Sequence, residues 1–195
     1  MKFSGTRISA DIFQGELSRL RRVGADGDQT LRRATGTLLR RLPVEARRDM
    51  QQQYNLSTRR INFDQSARRA GESAIDLVGR RRKIGLIQYG ARWDRRSSGA
   101  TVAIERGAGR SAWDGGGAFI AVGVSGNKHV FERFGAKRRM QRGRYEGHMR
   151  QPISVQHFGS IADLLIDEAR VSRLGDLAQA VLAAEIERLL ASARR

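Results

Sequence analysis

The chain of 195 residues carries 37 Lys+Arg against 20 Asp+Glu, a net charge of +17 and a pI near 11.6. A potential that strong favours a polyanionic partner. With no cysteine, disulfides, thiolate metal sites and a cysteine nucleophile are excluded. No apolar run reaches the roughly 18 residues of a membrane span, and the N-terminus lacks the apolar core and cleavage site of a signal peptide. A soluble protein made in the cytoplasm, with no membrane contact, is the expectation. The length suits one structural domain with a real core.

In chain order, residues 1–70 read as a basic helical region. Phe3, Ile8, Ile12, Leu17, Leu20 and Val23 fall at loosely helical spacing until Gly24-Ala25-Asp26-Gly27-Asp28 breaks it. Thr30–Leu42 is predicted helical, and Pro43 opens a second helix at its tolerated first-turn position. Ser57 can cap a further short helix. Residues 71–158 read as β-rich. Ser73–Val78, Ile84–Tyr89, Ala100–Glu105, Ala118–Val124, Lys128–Phe134 and Pro152–Phe158 are the predicted strands. Ala118–Val124 is apolar on both faces, which fits a covered central strand, and Ser125-Gly126-Asn127 supplies a short hairpin loop. Phe119, Ile120, Val122, Phe131 and Phe134 are the predicted core. Arg138–Arg150 is too long for a simple turn. Residues 159–195 read as C-terminal helices. Ser160 caps the first of them with Asp163 three residues on, and Gly175-Asp176 is a predicted break. Leu177, Val181, Leu182, Ile186, Leu189 and Leu190 form an amphipathic stripe. The predicted fold class is α+β: basic N-terminal helices, a mainly antiparallel sheet, and C-terminal helices packed on it.

Catalytic patterns are weak. Gly107-Ala108-Gly109-Arg110-Ser111 has Arg where a phosphate-binding loop needs Lys. His129, His148 and His157 lack the spacing of a metal site. No serine sits in a Gly-x-Ser-x-Gly elbow, and Asp11, Glu16, Glu72 and Asp76 share no evident site. Tyr54–Arg60 could pass for a helix-turn-helix, but the flanking segments are too poor in large apolar residues to support one. The expectation is a protein without enzymatic activity, metal or cofactor.

The basic loops carry the functional signal. Arg80, Arg81, Arg82 and Lys83 are four successive cations at a predicted hairpin tip, and Lys137, Arg138, Arg139, Arg142, Arg144 and Arg150 cluster after the apolar hairpin. Nearly all the cations are Arg, whose fork grips phosphate bidentately. The alternatives are a solvated face, a composition set by a GC-rich genome, or pairing with the acids of another subunit. Tyr145 is essentially the one aromatic among these cations, so base stacking is expected to be weak.

The runs SAIDLVGRRRKIGLIQY, GATVAIERG, GAFIAVGVSGNKHVFERFG and QPISVQHFGSIADLL, in that order between about Gln52 and Arg173, resemble the minor tail protein Z family of lambda-like tailed phages and prophages. The resemblance implies a structural virion protein at the head-proximal end of the tail, a tail-completion or neck subunit. It further implies a homo-oligomeric ring about the DNA channel, with the tail terminator and head–tail connector as neighbours and genomic DNA within reach. Such a protein would reside in the virion and pass through the host cytoplasm during assembly. The family brings no catalytic residues. Alternatives are a sequence-independent nucleic-acid-binding protein, or a tail tube or terminator subunit.

Overall fold

A computed structural model describes residues 3–8, 27–70, 74–113 and 117–193. Helices near both ends flank a central antiparallel β region, an α+β fold. The chain divides into two compact units that interleave along the sequence. The first takes residues 1–51, 58–82 and 160–195; the second takes residues 52–57 and 83–159.

In the first unit the longest N-terminal element is α1, Gly27–Gln53, a single helix of 27 residues with Pro43 inside it. The expected restart at Pro43 does not occur. Ala34, Leu38, Leu42, Ala46 and Met50 are all buried at a strict four-residue spacing, so one apolar stripe runs across the proline. Burial of that stripe outweighs the hydrogen bond that proline removes, and Gln65 Nε2 donates to the Pro43 carbonyl at 3.2 Å. A short helix α2, Thr58–Asp64, follows.

The N-terminal region is not wholly helical. Phe3–Ile8 is a strand, β1, and Gln65–Arg69 is another, β2; both pair antiparallel with β3, Ile75–Arg80. The helical reading of Ile12, Leu17, Leu20 and Val23 lies outside the described residues. β3 is the central strand, paired on both edges, and is buried from Ile75 to Gly79.

Two helices close this unit. Ser160 caps α3, Ile161–Leu165, as expected: its hydroxyl accepts from the Asp163 amide at 3.2 Å and donates to the Asp163 carboxylate at 2.7 Å. α3 lies so close to β3 that a Cβ on Gly79 would sit 2.7 Å from the Ala162 nitrogen. α4, Glu168–Ala193, runs through Gly175 without the expected break. Leu174, Ala178, Val181, Leu182 and Ile186 are buried on one face of it, and that packing spans the glycine. The chain instead turns at Ile166–Asp167, where the Asp167 carboxylate accepts from the Arg170 amide at 3.0 Å.

Arg170 is fully buried in this corner. Its Nε donates to the Asp49 carboxylate on α1 at 2.5 Å, and its Nη1 donates to the Leu164 carbonyl. Arg173 meets the other Asp49 oxygen at 2.6 Å. A guanidinium without access to water requires both a counter-charge and carbonyl acceptors, and both are present.

The second unit holds several small sheets in place of one. β4, Lys83–Gly85, is much shorter than the strand expected over 84–89; Leu86–Tyr89 is a 3₁₀ turn ending at Gly90, whose φ of 71° suits glycine. Tyr89 is buried, and its hydroxyl donates to the Phe158 carbonyl at 3.3 Å. β6, Gly99–Val102, is buried throughout and pairs with β5, Arg92–Asp94, and β7, Ser111–Ala112.

β8, Phe119–Val122, and β9, Lys128–Arg133, form the predicted hairpin, and β9 also pairs with β12, Ile153–Val155. The expected strand over 152–158 is therefore two, β12 and β13, His157–Ser160, the latter paired with β4. β8 is an edge strand, not a central one. Phe131 is buried as predicted, whereas Phe119 and Ile120 are half-buried, and Val122 and Phe134 are 62% and 49% exposed. An apolar run records both faces but not whether anything covers them; here Val130 and Ala118 supply the deeper core.

Asp49→Ala would strand the buried Arg170 charge and is expected to cost about 3–5 kcal/mol in urea unfolding, with the Asp49→Leu/Arg170→Met pair costing less than the single change. Gly79, packed against α3, and Gly175, inside α4, should answer in opposite directions. Gly79→Ala, which drives a methyl into backbone, is expected to lose about 1–3 kcal/mol. Gly175→Ala, with nothing within 4 Å, is expected to gain about 0.5–1 kcal/mol.

Candidate nucleic-acid interface

The stretch Arg138–Arg150, read from sequence as a long loop, is an antiparallel arm. β10, Arg138–Arg139, pairs with β11, Met149–Arg150, with Arg138 opposite Arg150 and Arg139 opposite Met149. The Met140 amide bonds the His148 carbonyl at 3.0 Å, and the Gly147 amide returns to the Met140 carbonyl at 2.9 Å. Gly143 and Gly147, with φ of 83° and 80°, give the tip its left-handed turns.

The arm grows out of the β9–β12 pair. The Phe134 amide donates to the Pro152 carbonyl at 3.0 Å, and the Gln151 side chain donates to the Gly135 carbonyl at 2.9 Å. Arg133 stands opposite Ile153 and Arg138 opposite Arg150, so the first strand holds two extra residues between the ladders. Gly135, φ 65°, absorbs that bulge, and a bulge increases the twist of the ribbon beyond it.

Every residue from Gln141 to Arg150 is exposed, as are Lys137, Arg138 and Arg139. The arm thus presents Lys137, Arg138, Arg139, Arg142, Arg144 and Arg150 with Glu146 its sole acid. The Arg150 guanidinium lies 3.5 Å from the centroid of the Tyr145 ring and that of Arg144 lies 5.8 Å from it. Stacking fixes the Arg150 plane while leaving its N–H edge to solvent. The sequence did not single out this Arg150–Tyr145 stack, since the contact depends on the turn.

The other predicted cluster is arranged differently. Gly79 and Arg80 are the last residues of β3, Arg81 and Arg82 form an exposed two-residue link, and Lys83 begins β4. This link is not a hairpin tip: β3 and β4 belong to different sheets, because β1 and β2 already occupy both edges of β3. Arg80 lies 3.9 Å from the Asp64 carboxylate and 5.2 Å from the Phe63 ring centroid. Arg80 to Arg82 fall in the first unit, while Lys83 and the arm fall in the second.

The weaker patterns resolve into internal contacts. The Arg110 guanidinium donates to the carbonyls of Gly90 at 2.7 Å and Thr101 at 2.9 Å, which ties its loop to the β5–β6–β7 sheet. His129 lies edge-on to Phe131 at 5.9 Å, and His148 edge-on to Tyr145 at 6.4 Å. Among the described residues no group of three or more His, Cys, Asp or Glu side chains could hold a metal ion. No helix among them is long and apolar enough to cross a membrane.

No family model, no curated protein and no solved structure matches this chain.

Chemically, the arm is suited to contacting a polyanion. A two-stranded ribbon is narrow enough for the major groove of a duplex, and guanidinium contacts to phosphate are indifferent to sequence. Replacing Arg138, Arg139, Arg142 and Arg144 together by Ser should weaken duplex binding. It should also flatten the plot of log affinity against log salt by about 0.9 for each phosphate that is no longer neutralised. An unchanged slope in a salt titration would take the arm out of the interface.

Proposed function

We propose that this chain is a non-catalytic structural subunit of a tailed-phage or prophage-derived particle, a tail-completion or neck protein at the head-proximal end of the tail. What carries the reading is the resemblance of GAFIAVGVSGNKHVFERFG and QPISVQHFGSIADLL to the minor tail protein Z family. Those residues form the β8–β9 hairpin, the β12 and β13 strands and the capped helix α3. The basic arm emerges from between the two runs.

In this reading the chain assembles as a homo-oligomeric ring around the DNA channel, beside the tail terminator and the head–tail connector. The protein needs no cofactor and no membrane. Arms repeated around a ring multiply weak contacts with DNA, so each need contribute little. The Arg81–Arg82 link serves as a second contact, to DNA or to an acidic neighbour. The net charge of +17 and the exposed arm also favour a second reading, a free-standing, sequence-independent nucleic-acid-binding protein.

Immuno-electron microscopy of nuclease-treated particles from the source cells separates these readings. Label at the head–tail joint is the expected outcome. Label along the tail would favour a tube or terminator subunit. Label absent from particles, with the protein retained on free nucleic acid, would replace the virion reading with the second one.

A further inference from the structure

A second aromatic stands among cations, in the other unit from the arm. Phe63, on the last turn of α2, is 57% exposed. The guanidinium carbons of Arg60 and Arg80 lie 5.7 and 5.2 Å from its ring centroid. Arg80 comes 17 positions after Phe63 in sequence, and the β2–β3 pairing of Gln65 with Gly79 brings them together. Arg59, Arg81 and Arg82 are exposed nearby in the chain.

Beside the ring in sequence is Asp64, whose side chain has no solvent exposure. One of its oxygens is bound by Arg60, while Oδ1 has no hydrogen-bond partner and faces Arg80 at 3.9 Å. A buried carboxylate is costly unless paired. Here it anchors Arg60 and draws Arg80 toward the ring, yet leaves the Arg80 side chain 45% exposed. The result is a 57% exposed apolar ring with two guanidinium groups close to it and two further exposed arginines following Arg80.

We propose that Phe63, with Arg60, Arg80, Arg81 and Arg82, is a binding site for an unpaired segment of nucleic acid. One base lies on the Phe63 ring, and adjoining phosphates lie on Arg80 to Arg82. Cations alone would serve an acidic peptide or a duplex equally well. Between the two forms of nucleic acid, the exposed ring adds a surface that an unpaired base can use and a duplex cannot, since bases in a duplex already stack on each other. Any base has such a face, so the site reads strandedness and not sequence. This inference does not rest on the virion reading and concerns residues outside the arm.

The test uses the full chain, a short labelled oligothymidylate and a duplex of equal length, compared by fluorescence anisotropy at fixed salt. Phe63→Leu, shown by thermal melting to be folded, is expected to weaken single-strand binding roughly fivefold or more while leaving duplex binding unchanged. Arg81→Ser/Arg82→Ser should weaken both. Phe63→Trp keeps the plate, and the emission of the introduced indole, taken as the difference from the two native tryptophans, should be quenched by oligothymidylate. Unchanged single-strand affinity in Phe63→Leu would overturn the proposal, and so would unquenched emission in Phe63→Trp. If Phe63→Leu lowered the affinity for polyglutamate as much as that for oligothymidylate, the ring would not be reading a base and the patch would belong to an acidic protein partner instead.

Discussion

The first unit depends on one buried charge. Arg170 has no contact with solvent, and its guanidinium is neutralised by Asp49, 121 residues earlier in the chain. A further N–H goes to the Leu164 carbonyl near the end of α3. A guanidinium in that position has no alternative to being paired, because the desolvation it has undergone is recovered only when the counter-charge and acceptors are all in place. The pair therefore fixes three things at once: the end of α3, the first turn of α4, and the register of α1 against them. Around it the apolar stripes of α1 and α4 supply bulk stability, which is non-directional, while the ion pair supplies position.

In the second unit the organising constraint is a sheet pair extended past its core. β9 and β12 begin as a partly buried pair at Phe131 and continue, through a glycine-centred bulge, into an arm with no core at all. The arm is held by main-chain hydrogen bonds and by the stack of Arg150 on Tyr145. An isolated hairpin is marginal in water, so this one borrows its stability from the sheet at its base. Its six cations repel one another, a cost that a polyanion would relieve.

Neither basic cluster is a free run of charges. Arg80 is committed in part to Asp64 and Phe63, which leaves Arg81 and Arg82 as the exposed pair. On the arm, strand pairing places Arg138 opposite Arg150, so cations distant in sequence become neighbours. Like charges on facing strands are unfavourable on their own.

The α+β class, the hairpin at Ser125-Gly126-Asn127, the Ser160 cap and the strongly basic character are legible in the amino-acid sequence alone. Each of these rests on local chemistry: alternation, a turn residue, a side-chain oxygen within reach of an amide, a count of charges. Long-range packing set the path of α1 through Pro43, the placing of Phe3–Ile8 and Gln65–Arg69 as strands beside β3, and the exposure of Val122 and Phe134. It also decided that Phe63 meets Arg80 and that Arg170 meets Asp49. These outcomes depend on which distant segment covers a face or neutralises a charge. Local periodicity carries no record of that, because helix propensity, strand propensity and proline penalties of about 1–3 kcal/mol are smaller than the burial energy of a whole apolar stripe.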